Sequence, residues 1–418
     1  MAGLAAALKL QAAGLKPLVL EVSDAVGGRV RTDVVEGFLL DRGFQIFLTS
    51  YPEAQAVLDY KALDLQTFYS GALVRWQGGW HRVADPFRHP VDGILSLTNP
   101  VGSVLDKILV GIFRFKCLLG TLEEMMSRPE TTIKQKLQAE GFSDAMISRF
   151  FSPFLGGIFF DRNLGTSSRL FEFVMRMLAT GSNCLPSKGI GEVAQQMALK
   201  LPADHISLNT HVVKVEAAVG DKPARVTVTS PSGPRTLTAR RGVVVAVEGP
   251  EAARLLGPAL EPAPSKGQPG VGTACLYFAA PKPPMPGNVL YLNGDGGGIV
   301  NNACFPSEVS PSYAPAGSTL CSASTVGTHS ELSDAQLEAA VREHLGQWFG
   351  AAELATWRLL RIYRIPYAQP SQAPPTNFFR PVALGGGLFV AGDHRDSATL
   401  DGALVSGKRA VEALLAAK

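Results

Sequence analysis

The sequence lacks a run of about 20 apolar residues, so no transmembrane span is expected. It has no block of like charges, and its formal net charge is only +3 over 418 residues. A nucleic-acid partner and a charged tail are therefore excluded from the expectations. Its five cysteines, Cys117, Cys184, Cys275, Cys304 and Cys321, form no C-x-x-C pair and keep no ligand spacing with a histidine. Neither a metal site nor a disulfide framework is expected. An intracellular reducing compartment is, either the cytoplasm or an organelle such as a plastid. The apolar N-terminus has no cationic leader, and it runs into a helix–strand pattern rather than a cleavage site. No internal repeat and no Ser-His-Asp ordering stands out.

What is present is a globular composition, 46% hydrophobic and 18% charged, on a chain long enough for two or three domains. Ala2 to Leu8 read as the start of a helix, Gly14 as a turn, and Pro17-Leu18-Val19-Leu20 as a strand that closes on Glu21. This is the second half of a βαβ dinucleotide unit, in which an acid roughly 20 residues past a glycine turn binds a ribose. Gly3 stands where the third glycine of G-x-G-x-x-G lets helix and strand approach. The first strand and the first two glycines have no counterpart. Three expectations follow: a chain cut short, a misplaced start, or a site that binds its nucleotide weakly or not at all.

The pattern divides the chain into 1–50 (dinucleotide-binding, N-terminal part), 51–184 (helix-rich cap with few strand signals), 185–260 (dinucleotide-binding, middle part), 261–380 (substrate sheet and helix) and 381–418 (dinucleotide-binding, C-terminal part). Strands are expected at 206–208, 212–215, 225–229 and 236–239, the last two as a hairpin across Pro231-Ser232-Gly233-Pro234. The continuous run Gly242 to Val247 suits a parallel strand buried on both faces. Strands at 271–279 and 318–325, a helix at 333–349, and Pro-rich connections at 262–270 and 281–287 complete this part. Leu388 to Ala391 forms the last strand and about 402–417 the closing helix. The fold class is α/β: a Rossmann-like domain with a second, mixed sheet-and-helix (α+β) substrate domain.

Two motifs carry chemistry. Gly27-Gly28-Arg29 follows Glu21 closely; paired glycines let the backbone approach an anion, and the arginine offers a fork for pyrophosphate oxygens. Gly392-Asp393 ends an apolar strand at its carboxyl edge, where open α/β sheets bind ligands. The helix that follows, starting at Gly402-Ala403, offers free backbone N–H groups to a negative charge. Taken together, Glu21, Gly27-Gly28-Arg29, Ala391-Gly392-Asp393 and Asp401-Gly402-Ala403 resemble the flavin-dependent amine oxidase, phytoene desaturase and protoporphyrinogen oxidase superfamily. The resemblance implies FAD as cofactor. It places Glu21 at the adenosine ribose, and Gly28 and Arg29 along the diphosphate and ribityl chain. Gly43 and Phe44 fall near the isoalloxazine, Val213 at the adenine, Asp393 at ribityl or phosphate oxygens, and Gly402-Ala403 at the flavin pyrimidine.

Two departures separate the chain from the amine oxidases of that group. No lysine lies in the strand Thr273 to Phe278, and Thr399-Leu400 stand where a cage tyrosine belongs. The resemblance thus implies an FAD-dependent oxidoreductase that desaturates or oxidises a small apolar compound, isoprenoid-like or a porphyrin precursor. An amine oxidase and a non-catalytic flavoprotein-fold subunit stay open, and no catalytic residue is assigned. The cluster Phe150 to Phe160 suits either core packing or an apolar tunnel wall. Residues 103–119 suit a core helix with solvated lysines, with a membrane-surface helix as the other reading and peripheral membrane contact as its partner. Asn293 to Gly298 suit either a closing loop or a simple turn. His394 reads as a structural hydrogen-bonder or as a neighbour of the flavin.

Overall fold

The computed structural model describes residues 1–260 and 270–417; most of the connection expected at 262–270 lies outside them. Its architecture is the expected α/β combination. Val243–Val245 and Leu388–Val390 pair in parallel, and Ala383–Gly385 runs antiparallel on the outer side. Leu388–Val390 is buried throughout, as suits a central parallel strand, whereas Val243–Val245 is buried only at Val245 and lines a cleft. Val19–Leu20 pairs in parallel with Ile206–Ser207 in a sheet of its own. The helix Ala2–Ala12 touches both Val19–Leu20 and Val243–Val245, and it packs along the closing helix Leu400–Ala416. Gly407 makes that crossing close: a Cβ there would lie 2.4 Å from the Ala2 carbonyl oxygen.

The second unit is a seven-stranded sheet in the order 358–370, 270–280, 319–325, 300–304, 290–293, 71–76 and 79–84. Gly270–Ala280 and Thr319–Thr325 are buried almost throughout because both faces are covered. Leu337, Val341 and Leu345 of the helix Asp334–Phe349 cover one face; Phe38, Leu40, Phe68 and Tyr313 pack on the other. The hairpin at residues 71–84 was not foreseen in a zone expected to be helical. Its turn, Gln77-Gly78, takes two positive φ angles (48° and 77°), and glycine tells only half of that pair. The expected hairpin Arg225–Ser230 with Gly233–Thr238 forms, with Gly233 at φ 96°.

The helix Val104–Leu118 departs from the core-helix reading. Its inward residues are Asp106, Phe113 and Cys117, while Val104, Leu105, Ile108, Ile112 and Phe115 face solvent. Lys107 is not solvated either: its ammonium donates to the carbonyls of Leu97, Asn99 and Gly102 at 2.9–3.0 Å. The loop at 293–298 is pinned rather than free. The Asn293 side-chain amide donates to the Gly297 and Val300 carbonyls, and the Gln77 N–H reaches Asp295 at 2.8 Å. All five cysteines are free and buried, and no helix among the described residues is long and apolar enough to cross a membrane.

Candidate functional site

A cleft of about 1650 Å³ runs beneath the helix Ala2–Ala12, between Lys16–Val22 and Arg240–Glu248, and on into the space below the seven-stranded sheet. Its lining changes character along the way. Among the described residues, every charged lining residue comes from segments 16–42 and 240–251 or is Asp393; the one histidine of the lining is His211. The segments 46–71, 153–178, 290–302 and 365–369 contribute to the lining without a single charge. Phe154, Ile158, Val174, Leu178 and Leu292 dominate there, with Asn302 as an amide among them. The aromatic cluster at 150–160 therefore does both things expected of it. Phe151 and Leu155 are core, whereas Phe154, Gly157 and Ile158 form cleft wall.

At the charged end, Arg29 and Asp393 make an ion pair of 2.8 Å. Burial opposes the charge on Arg29, but the Asp393 carboxylate outweighs it and holds the guanidinium above its ordinary pKa. A second arm of Arg29 donates to the Ala368 carbonyl at 2.6 Å, and its guanidinium lies 5.4 Å from the Tyr367 ring centre. Asp393 is only 6% exposed, and its Oδ1 is buried with no hydrogen-bond partner. Such an orphaned oxygen is an acceptor waiting for a donor. Gly392 delivers it from φ 150°, where a Cβ would lie 2.4 Å from the His394 ring. His394 itself stays out of the cleft lining; both its ring nitrogens are buried without partners, and burial pushes its pKa down to about 4.

The expected Gly27-Gly28 turn is built for close approach. Gly27 sits at φ 116°, where a Cβ would lie 2.4 Å from the Val30 carbonyl oxygen; Gly28 sits at φ 60° with nothing within 4 Å of a Cβ. Glu21 lines the cleft at the end of its strand, and Ser23 donates to its Oε1 from both N–H (2.9 Å) and hydroxyl (2.8 Å). Gly3 faces Ala246 across the helix–strand contact, where a Cβ on the glycine would lie 3.4 Å from the alanine Cβ. Gly43, at φ 85°, and Phe44 enter the same cleft, Phe44 edge-on to Phe68.

The family is decided by sequence along almost the entire length: the flavin containing amine oxidoreductases match residues 1–415. The chain belongs to that family. It is an FAD-dependent oxidoreductase of the flavin containing amine oxidoreductase group. Over 158 residues it is 27% identical to protoporphyrinogen oxidase 2, chloroplastic/mitochondrial, of Arabidopsis thaliana. That match spans 38% of this chain and 30% of the plant protein's length. In fold it is similar to a protein from Exiguobacterium assigned as a protoporphyrinogen oxidase (TM-score 0.74, 18% identical, 100% of this chain and 97% of the other). It is similar also to a redesigned putrescine oxidase (TM-score 0.70, 17% identical, 100% and 97% covered). At such identities these two structures speak for the fold alone.

The residues present fit this family's FAD. The free Asp393 Oδ1, the open cradle at Gly28 and the Glu21 carboxylate all meet in one cleft. Two expected cofactor residues, Val213 and Gly402, lie outside the cleft lining, and Ala403 lines it without a free N–H. Val213 stands at a bulge outside the cleft lining, and its carbonyl accepts from Arg254 at 3.2 Å; Val212 and His211 line the cleft instead. The closing helix begins at Leu400, so Gly402 and Ala403 do not present free N–H groups. Gly402 donates to the Thr399 hydroxyl (2.9 Å) and Ala403 to the Thr399 carbonyl (3.1 Å). Thr399 is the N-cap, a strong claimant for the N–H groups of a first turn. Gly402 answers a packing need, since a Cβ there would lie 2.2 Å from the Ser397 carbonyl oxygen; Ala403 still lines the cleft. Asn302 belongs to the Asn301-Asn302 pair that follows the glycine loop already singled out at 293–298, and it does line the cleft. Sequence reasoning missed Tyr367, which sits in no motif and meets Arg29 only through the fold.

Proposed function

We propose that this flavoenzyme oxidises or desaturates a small apolar substrate, isoprenoid-like or a reduced porphyrin precursor, that sits against the uncharged stretch of the cleft. The observation that carries the reading is the division of the lining. Charges gather where a dinucleotide needs them, and the rest of the described wall offers no carboxylate to hold an ammonium. The plant relative's name, a protoporphyrinogen oxidase, supports the porphyrin-precursor member of this pair.

In this reading Glu21 accepts from the adenosine ribose hydroxyls, and Gly28 lets the diphosphate approach the backbone. Arg29 neutralises phosphate charge while staying anchored to Asp393, whose free Oδ1 accepts from a ribityl hydroxyl. The first turn of the helix Ala2–Ala12 adds its positive end to the phosphates. Gly43 and Phe44 border the ring. Bound FAD supplies the hydride acceptor. The protein holds the substrate by Phe154, Ile158, Val174 and Leu292 and keeps water out; the Asn302 amide is one of the polar groups of that stretch that fix its orientation.

Anaerobic titration of the FAD-loaded enzyme tests this. Bleaching of the flavin band near about 450 nm by a porphyrinogen or a polyene, and none by mono- or polyamines, is expected. Bleaching by amines alone overturns it.

A further inference from the structure

Two consecutive helices of the cap are turned inside out. In Pro90–Ser96 the buried residues are Gly93 and Ser96, while Val91, Ile94 and Leu95 are 66–71% exposed. In Val104–Leu118 the exposed stripe is Val104, Leu105, Ile108, Ile112 and Phe115, continued by Leu119 at 65%. Phe87 joins it, edge-on to Phe115 at 5.7 Å. The orientation is firmly set. Ser103 and Asp106 form a capping box, Asp106 also takes the N–H and hydroxyl of Ser143, and Phe113 stacks on Phe171 at 5.0 Å. The helix is thus pinned by its polar and aromatic inner side and shows an aliphatic outer one. Single exposed apolar residues are ordinary, but ten large ones within residues 87–119 are not.

The charges of this stretch are one-sided. All three of its carboxylates are engaged: Asp85 lies near Arg88 and Arg114, Asp92 takes Tyr69 and faces Arg82, and Asp106 is buried. The only exposed charged side chains between residues 82 and 119 are the cations Arg82 and Lys116. The face also abuts the cleft wall. Arg88, next to Phe87, donates to the carbonyl of Leu178, a lining residue of the uncharged part.

We propose that this face, built by Pro90–Ser96 and Val104–Leu118, docks on the surface of an anionic lipid bilayer. Aliphatic side chains enter the headgroup–acyl boundary while Arg82 and Lys116 meet lipid phosphates. Each of the two exposed cations has an acid beside it, Arg82 with Asp92 at 3.6 Å and Lys116 with Glu140 at 2.6 Å. Residues 82–119 nevertheless carry five basic side chains against three acids, a positive excess beside the apolar stripe that suits an anionic surface. Docking of this kind is independent of the substrate assigned above.

Vesicle co-sedimentation of the full chain tests it, with phosphatidylcholine alone and with phosphatidylcholine–phosphatidylglycerol. Binding to the anionic vesicles is expected, about tenfold weaker on the neutral ones. The double variant Ile94→Glu/Ile112→Glu is expected to lose binding by at least about tenfold with an unchanged melting temperature, since both positions face solvent. Should that variant misfold, the milder Leu105→Ser/Ile108→Ser is expected to weaken binding in the same direction. No pelleting of the wild-type chain, or equal pelleting of the variants, overturns the proposal. So does light scattering that shows a dimer dissolved by the same substitutions without vesicle binding, which would assign the face to a second copy.

Discussion

Two buried carboxylates of this molecule are treated in opposite ways. Asp41, 3% exposed, lies between the seven-stranded sheet and the dinucleotide half. Its Oδ1 accepts from the Thr32 hydroxyl (2.6 Å) and the Ile190 N–H (2.9 Å), and its Oδ2 from the Tyr313 hydroxyl (2.9 Å). Burial nevertheless pushes its pKa up to about 6, because three neutral donors do not replace water fully. Asp393, 6% exposed, has a full cation on one oxygen, while the other has no hydrogen-bond partner and lies 4.0 Å from His394 Nδ1. The first is a knot that ties segments together, with both of its oxygens held by internal donors. The second has capacity left over and faces a cleft. Unspent hydrogen-bonding capacity, more than burial, distinguishes a ligand-facing carboxylate from a structural one.

The largest effect should fall on the knot. Asp41→Ala strips three donors of their acceptor at once and is expected to lower unfolding stability by about 3 kcal/mol in denaturant titration. Flavin bound per folded molecule should be unchanged; flavin lost in proportion would erase the contrast. Asp393→Asn is expected to do the reverse. The amide keeps the shape but leaves Arg29 without its counter-charge, at a stability cost of about 1–2 kcal/mol. FAD affinity, read by fluorescence quenching, should fall at least about tenfold with the loss of the anionic acceptor and of a well-anchored Arg29. If affinity held, Asp393 would be no more than the partner of Arg29.

These two carboxylates also show what can be read from sequence. Gly392-Asp393 was legible because an apolar strand ending in Gly-Asp is a local pattern, as was Gly27-Gly28-Arg29. Their pairing across 364 positions was not a local matter, yet fold-level resemblance brought both ends to one cofactor. Asp41 directly precedes the Arg42-Gly43-Phe44 segment that the resemblance marks, but its role did not show there: Ile190 and Tyr313 reach it from 149 and 272 positions away, and neither sits in a motif. Gly402 failed for a different reason. A glycine at a helix start reads equally as an open N–H and as a point of close packing, and Thr399 had already claimed the N–H. Periodicity likewise gave the stripe of the helix at 104–118 without saying which way it faces.

Asp401 offers the smallest test, and it probes whether the knot's behaviour is general. Its Oδ1 accepts from the N–H groups of Glu53 and Ala54 (2.8 and 3.2 Å), tying the helix Pro52–Val57 to the closing helix, and burial raises its pKa to about 6. The folded state therefore holds this proton more tightly than the unfolded chain, whose carboxyl titrates near 3.8. Its contribution to stability is full below the unfolded value and is lost as pH rises through about 6. Asp401→Asn keeps a carbonyl oxygen for the two N–H groups but cannot titrate. Unfolding free energies measured from acid to neutral pH should fall less steeply through that window in the variant. An identical slope in both proteins would mean that the two N–H donors hold the carboxylate ionised. Asp401 would then resemble a solvated carboxylate more than it resembles Asp41.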